Sequence, residues 1–412
     1  MRTGNHGRRT AARCAAMAIG LAFLAMTALP ASADAKFDRW VREFWPVASK
    51  AGVSAATYKA AFAGVTPDPE VLEKASRQAE FHKPIWEYLD SAVSETRVET
   101  GRQKLREWKS WLDRIEAKYG VDRHVVVAIW GMESSYGAVL DNPGVVRSVI
   151  RSLSTLAYAG GRRARYGRQQ LIAALKILER GDVSARGMTG SWAGAMGHTQ
   201  FIPTTFDAYG VDMDGDGHRN IWTSVPDALG STAAYLKRAR WQSGETWGYE
   251  VKLPRGFNYS LAGHHHRRSL GAWRELGVSR VGGRDFPRPG DEAYLLMPGG
   301  AKGPAFLMLR NFRVIKRYNN ADAYALAVGH LSDRLRGGDT FAQDWPRDDA
   351  PLGRRQIQSL QQLLNKHGYD TGGVDGKLGP KTMGAIIAVQ KRLGWTPDGY
   401  AGMKLLKRLG GA

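Results

Sequence analysis

One carboxylate closes an apolar run in the stretch Ala128-Ile129-Trp130-Gly131-Met132-Glu133-Ser134-Ser135-Tyr136-Gly137. Val126, Ile129, Trp130 and Glu133 recur at helical spacing, so Glu133 shares a face with residues that belong in a core. Gly131 and Gly137 leave room for the backbone and end the helix. A carboxyl desolvated this way has its pKa raised and stays protonated near neutral pH, as a general acid must. Paired carboxylates can divide acid and base roles between them, and the motifs here supply one. The nearest downstream acid, Asp141, sits in Asp141-Asn142-Pro143-Gly144, which reads as a turn.

Three further segments carry ligand-binding chemistry. In residues 191–203, small residues allow close backbone approach, Ser191 and Gln200 offer hydrogen bonds, and Trp192 and Phe201 offer apolar faces. Around residue 319, Tyr318-Asn319-Asn320-Ala321-Asp322-Ala323-Tyr324 places an amide between two tyrosines at a helix start. The third segment contains Asp212, Asp214 and Asp216 at the first, third and fifth positions of a calcium loop, with Gly217 sixth. His218 is seventh, where the backbone carbonyl ligates. Thr223 stands at the twelfth position in place of the bidentate Glu of an EF-hand, and a turn closed by Asx hydrogen bonds is the competing reading.

The elements that must position these residues read as mainly helical. Residues 36–120 show helical periodicity, 171–178 form a helix stopped by Gly181, and a helix runs from Pro226 or Asp227 to Arg240. Residues 187–222 read as loops lining a site, and 244–310 as irregular, with many Gly and Pro. His264, His265 and His266 lie there, read as a solvated loop rather than a metal site. A last helix covers 321–336, and the Gly-, Asp- and Pro-rich stretch that follows reads as a linker. Beyond it, Asp375-Gly376-x-x-Gly379 recurs as Asp398-Gly399-x-x-Gly402, each followed by an amphipathic helix. With the earlier helix marked by Ile357, Leu360, Leu363 and Leu364, this makes a small three-helix module.

The first 33 residues read as an export signal: Arg2, Arg8, Arg9 and Arg13, an apolar core over 15–29, and Ala31-Ser32-Ala33 as the cleavage site. That core is short for a transmembrane span. Cys14, the single cysteine, precedes it without a lipoprotein context, so neither a lipid anchor nor a disulfide is expected. The formal charge of +20 over 412 residues favours a polyanionic partner. Of nucleic acid, anionic lipid and a carboxylate-rich cell-wall polymer, an export signal makes nucleic acid the least natural.

The segments around Glu133, Ser191, Asp212 and Tyr318, in this order, resemble the lytic transglycosylase B family of bacterial cell-wall enzymes over roughly residues 37–335. The tail resembles the three-helix peptidoglycan-binding domain through Asp375-Gly376-x-x-Gly379-x-x-Thr382. The resemblance implies a mainly α, lysozyme-like catalytic domain with a small β element over 34–336, a linker over 337–350, and a peptidoglycan-binding domain over 351–412. It implies Glu133 as the catalytic acid and Ser191, Gln200, Tyr235, Tyr318, Asn319, Tyr324 and Tyr88 as substrate contacts. It implies a structural calcium held by Asp212, Asp214, Asp216 and His218 and closed by Asp227, with one extra residue in 223–226. No cofactor serves the chemistry. The implied reaction cleaves between N-acetylmuramic acid and N-acetylglucosamine without water, leaving 1,6-anhydromuramic acid, in a periplasmic monomer whose partner is peptidoglycan. A hydrolytic muramidase and a non-catalytic wall-binding protein are the alternatives.

Overall fold

The computed structural model describes residues 31–76 and 83–410. The expected export signal, with Cys14, lies outside the described residues except for its last three, which open the Ala31–Lys50 helix. No helix among the described residues is long and apolar enough to cross a membrane.

The centre of the molecule is the Arg123–Ser134 helix, whose first turn is capped by the Asp122 carboxylate accepting from His124 N at 2.8 Å. Val126, Val127, Ala128 and Ile129 are fully buried. Burying each of the larger three contributes about 1.5–3 kcal/mol. The helices Glu95–Glu107, Lys109–Tyr119, Val225–Arg238 and Asp322–Leu335 pack around it. A second core gathers the paired helices Val149–Tyr158 and Ala164–Glu179 with Met196, Phe201, Phe206 and Trp222. Tyr235 and Tyr318 pack against both cores, marking the seam between them.

The region 244–310, which reads as irregular, folds into a five-stranded antiparallel sheet. Its order is Arg267–Ser269, Glu292–Leu296, Ala305–Met308, Gly248–Lys252, Ser279–Arg280. Strands of two to five residues between Gly and Pro turns are too brief to show an alternating pattern.

The segment expected as a linker is held against the larger domain. Phe341 stacks on His330 with ring centroids 3.8 Å apart, and Trp345 lies 6.0 Å from Trp86. Ala342 N and Gln343 N each donate to the Glu250 carboxylate at 2.9 Å, and Arg347 grips Asp90 with two hydrogen bonds of 2.7 and 2.9 Å. Two aromatics among glycines, acids and prolines are enough to fasten a chain whose composition suggests flexibility. The module that follows has its own core between the helices Arg354–Lys366, Pro380–Arg392 and Met403–Arg408. Its repeat has a physical cause. In each copy a buried glutamine, Gln361 or Gln390, accepts from the glycine N–H at 2.8 Å and donates to the preceding aspartate.

Candidate active site

Glu133 sits in the last turn of the central helix. Burial pushes its carboxyl up to about 7, partly offset by the Tyr324 hydroxyl, which donates to Oε1 at 2.5 Å. No second carboxylate contributes to this shift. Tyr88, Tyr318 and Tyr324, from three other helices, all have raised pKa values, first through burial and next through the Glu133 charge. The structure therefore brings Tyr88, Tyr318 and Tyr324 around Glu133. In such a pocket a neutral acid can give up a proton, and as an anion it can take one back.

Two tyrosines, Tyr318 and Tyr235, also hold the walls. Tyr318 donates to Thr199 O at 2.5 Å, tying its helix to the 191–203 segment. Tyr235 donates to Arg317 O, and its ring meets Tyr318 edge-on at 5.3 Å and Tyr209 at 4.9 Å. Phe201 completes the group, 5.7 Å from Tyr318. Asn319 is exposed beside them, its Oδ1 accepting from Ala321 N at 3.2 Å.

The 191–203 segment is a compact turn system. Met196 bridges to both Gly190 and Phe201, the Ser191 hydroxyl accepts from Ala195 N at 3.1 Å, and Gln200 donates from Nε2 to Gly197 O at 2.9 Å. Gln200 holds φ +51°, a region that costs a side-chain-bearing residue energy and is kept where surrounding structure enforces it. At Gly197, φ is +64° and a Cβ would meet Ile221 O at 2.3 Å, so nothing larger fits.

Gly131 lies inside the helix rather than ending it. A Cβ there would meet the Tyr136 ring at 2.6 Å, and Tyr136 donates its hydroxyl to Arg97 O at 2.9 Å. The helix stops because Ser135, Tyr136 and Gly137 take φ values of +50°, +60° and +91° in succession. Glycine at 131 admits the tyrosine that this reversal folds back onto the helix.

His198 was not evident in the sequence as a site residue. Its Nδ1 accepts from the Trp130 indole N–H at 3.1 Å, and its carbonyl accepts from Ser134 Oγ at 2.6 Å. Burial, reinforced by Lys104, pushes the ring down to about 4, so it is neutral at working pH. It fastens the helix bearing Glu133 to the segment bearing Ser191 and Gln200. A lone histidine between Gly197 and Thr199 carries no periodic signal that would have exposed this role.

The acidic loop is separate. One carboxylate oxygen from each of Asp212, Asp214, Asp216 and Asp227 lies within 4.8 Å of the others, and Asp227 is fully buried. Asp227 accepts from Met213 N and Asn220 N, each at 2.7 Å, while burial still raises its pKa. Between the aspartates, Asn220 makes an Asx turn in which its Oδ1 accepts from Trp222 N and Thr223 N, each at 3.0 Å. Four converging carboxylates form an all-oxygen donor set of the kind a hard divalent cation compensates. The His218 side chain is not among the converging groups, in keeping with a position that ligates through its carbonyl. His264, His265 and His266 form no such group among the described residues.

The transglycosylase SLT domain family matches residues 36–333, and the peptidoglycan binding domain family matches residues 353–409. The chain is similar to SltB3 from Pseudomonas aeruginosa, solved with NAG-anhNAM-pentapeptide. The identity is 51%, with 90% of this chain and 99% of that one covered, at a TM-score of 0.84. It is 31% identical over 260 residues to membrane-bound lytic murein transglycosylase B of Escherichia coli K12, a stretch spanning 60% of this chain and 66% of that protein. It is also similar to Escherichia coli Slt35 solved with calcium, at 25% identity, 74% and 93% coverage and a TM-score of 0.59.

Proposed function

Because this chain belongs to the transglycosylase SLT domain family, we propose that it cleaves the β-1,4 bond between N-acetylmuramic acid and N-acetylglucosamine in peptidoglycan without water, as a lytic transglycosylase. The observation that carries this reading is the one carboxyl of the motif, buried in the last turn of its helix, with its pKa raised by burial to about 7 so that both its protonated and its ionised forms are available. A two-carboxylate glycosidase places its partner acid roughly 5–9.5 Å away to serve as nucleophile or base. Here Glu133 gives its proton to the glycosidic oxygen as the C1–O bond breaks. The resulting carboxylate then takes the proton of the muramyl C6 hydroxyl while that oxygen bonds to C1. The product is 1,6-anhydromuramic acid, and Glu133 regains its proton.

Tyr324 orients the Glu133 carboxyl. Tyr88 and the faces of Tyr235 and Tyr318 line the sugar path, and Ser191, Gln200 and Asn319 supply polar contacts. The 212–227 loop holds calcium through Asp212, Asp214, Asp216, Asp227 and the His218 carbonyl, stabilising the fold without entering the chemistry. The protein acts on the wall from the periplasm, as a monomer. Glu133→Gln keeps the size of the side chain and removes the acid. It should lower release of soluble products from purified peptidoglycan by about a hundredfold or more while leaving binding to insoluble sacculi in place. Near-wild-type release by that variant would remove Glu133 from the mechanism.

A further inference from the structure

Where the C-terminal module meets the larger domain there is a cavity of about 310 Å³. Its walls come from both sides: Lys302 from the larger domain, Asp349 from the connecting segment, and Trp395, Asp398, Tyr400 and Lys404 from the module. The joint is built. Asp398 Oδ2 accepts from Ala301 N at 2.8 Å, its Oδ1 is held by Gln390 and Tyr400 N, and Tyr400 donates its hydroxyl to Asp349 O at 2.7 Å. At the edge stands Trp395, 38% exposed, more than any other tryptophan of the described residues.

The chemistry of this lining selects its ligand. Two lysines face two aspartates, so the walls carry no net charge to favour an anion. What remains is an exposed indole beside a ring of polar groups, which suits a neutral, hydroxyl-rich molecule with one apolar face. A pyranose is that molecule, since the C–H bonds on one face of its ring pack on an aromatic plane while its hydroxyls reach outward. The volume falls at the lower end of the roughly 300–1,000 Å³ usual for small-molecule sites. We propose that this cavity is a second glycan subsite, taking an N-acetylhexosamine of the strand on Trp395, and that its occupancy fastens the module to the catalytic region. The identity of the polymer rests on the function proposed above.

The test is calorimetric titration of the N-acetylglucosamine tetramer, a neutral probe, into the full chain carrying Glu133→Gln. Two binding events are expected, one in the Glu133 cleft and one here. Adding Trp395→Ala should leave one event, or weaken the second by about tenfold. Lys302→Ala, on the opposite wall, should weaken the same event. Unchanged stoichiometry and affinity in both variants would overturn the subsite. Loss with Trp395→Ala but none with Lys302→Ala would place it on the module alone and overturn the bridging role. Should Trp395→Ala lose its cooperative melt, Lys302→Ala decides. Saturation of the second event by a free stem peptide, with no sugar bound, would overturn the ligand class. The catalytic reading is judged apart from all of this, by whether the wild-type chain releases anhydromuropeptides from sacculi.

Discussion

At Glu133, burial and the Tyr324 hydrogen bond act in opposite directions, and the net result places the carboxyl's titration at about 7. The acid works only while protonated, so activity should fall as pH rises through about 7. Tyr324→Phe removes a donor that favours the charged form, so the pKa rises and the descending limb of the pH–rate profile moves to higher pH. A limb that stays put or moves down would contradict the role given to Tyr324. Gly131→Ala would push a methyl into the Tyr136 ring. It should lower the melting temperature and, by displacing the turn after Glu133, the turnover with it; an unchanged melt would show that Tyr136 yields freely. Glu133 was legible because its helical phase contradicts its polarity. His198 was not, because its partners, the Trp130 indole and Ser134, lie more than sixty residues away in sequence and meet only in the fold.

Among the elements, the long helices were legible from their 3.6-residue period and the loops of 187–222 from their glycines and aromatics, but the Pro203–Tyr209 helix inside that stretch was not. The five-stranded sheet was not, since its strands are too short for the alternation to repeat. The acidic loop was legible in its first half, where Asp212, Asp214 and Asp216 keep the expected spacing. Its closure was harder to read because the Asn220 side chain turns the chain between Asp216 and Asp227 through hydrogen bonds that leave no mark on sequence spacing. If the loop holds calcium, ligand binding to the native state raises stability by about 2.7 kcal/mol at a hundredfold excess over Kd. The melting temperature should therefore climb with calcium and drop with chelator, and Asp227→Asn should abolish that dependence. A melt indifferent to both would leave the loop as a turn stabilised by its own hydrogen bonds.

On the scale of the molecule, the connecting segment is a strap rather than a free tether, because Phe341 and Trp345 pack against the central core. The two truncations on either side of it should therefore differ. Ending the chain after Ala350 keeps the strap and should preserve the melt of the catalytic region. Ending it after Arg336 strips both aromatics and should cost at least about 2 kcal/mol; equal melts would show the strap to be idle. Both should bind sacculi less well, since a second attachment acts through effective concentration. In the proposed reaction a lone acid lets the substrate's own hydroxyl close the ring. Mass spectrometry of the sugar end released from purified peptidoglycan decides this: 1,6-anhydromuramic acid is expected, and an ordinary reducing muramic acid, heavier by one water, would overturn the lone-acid reaction.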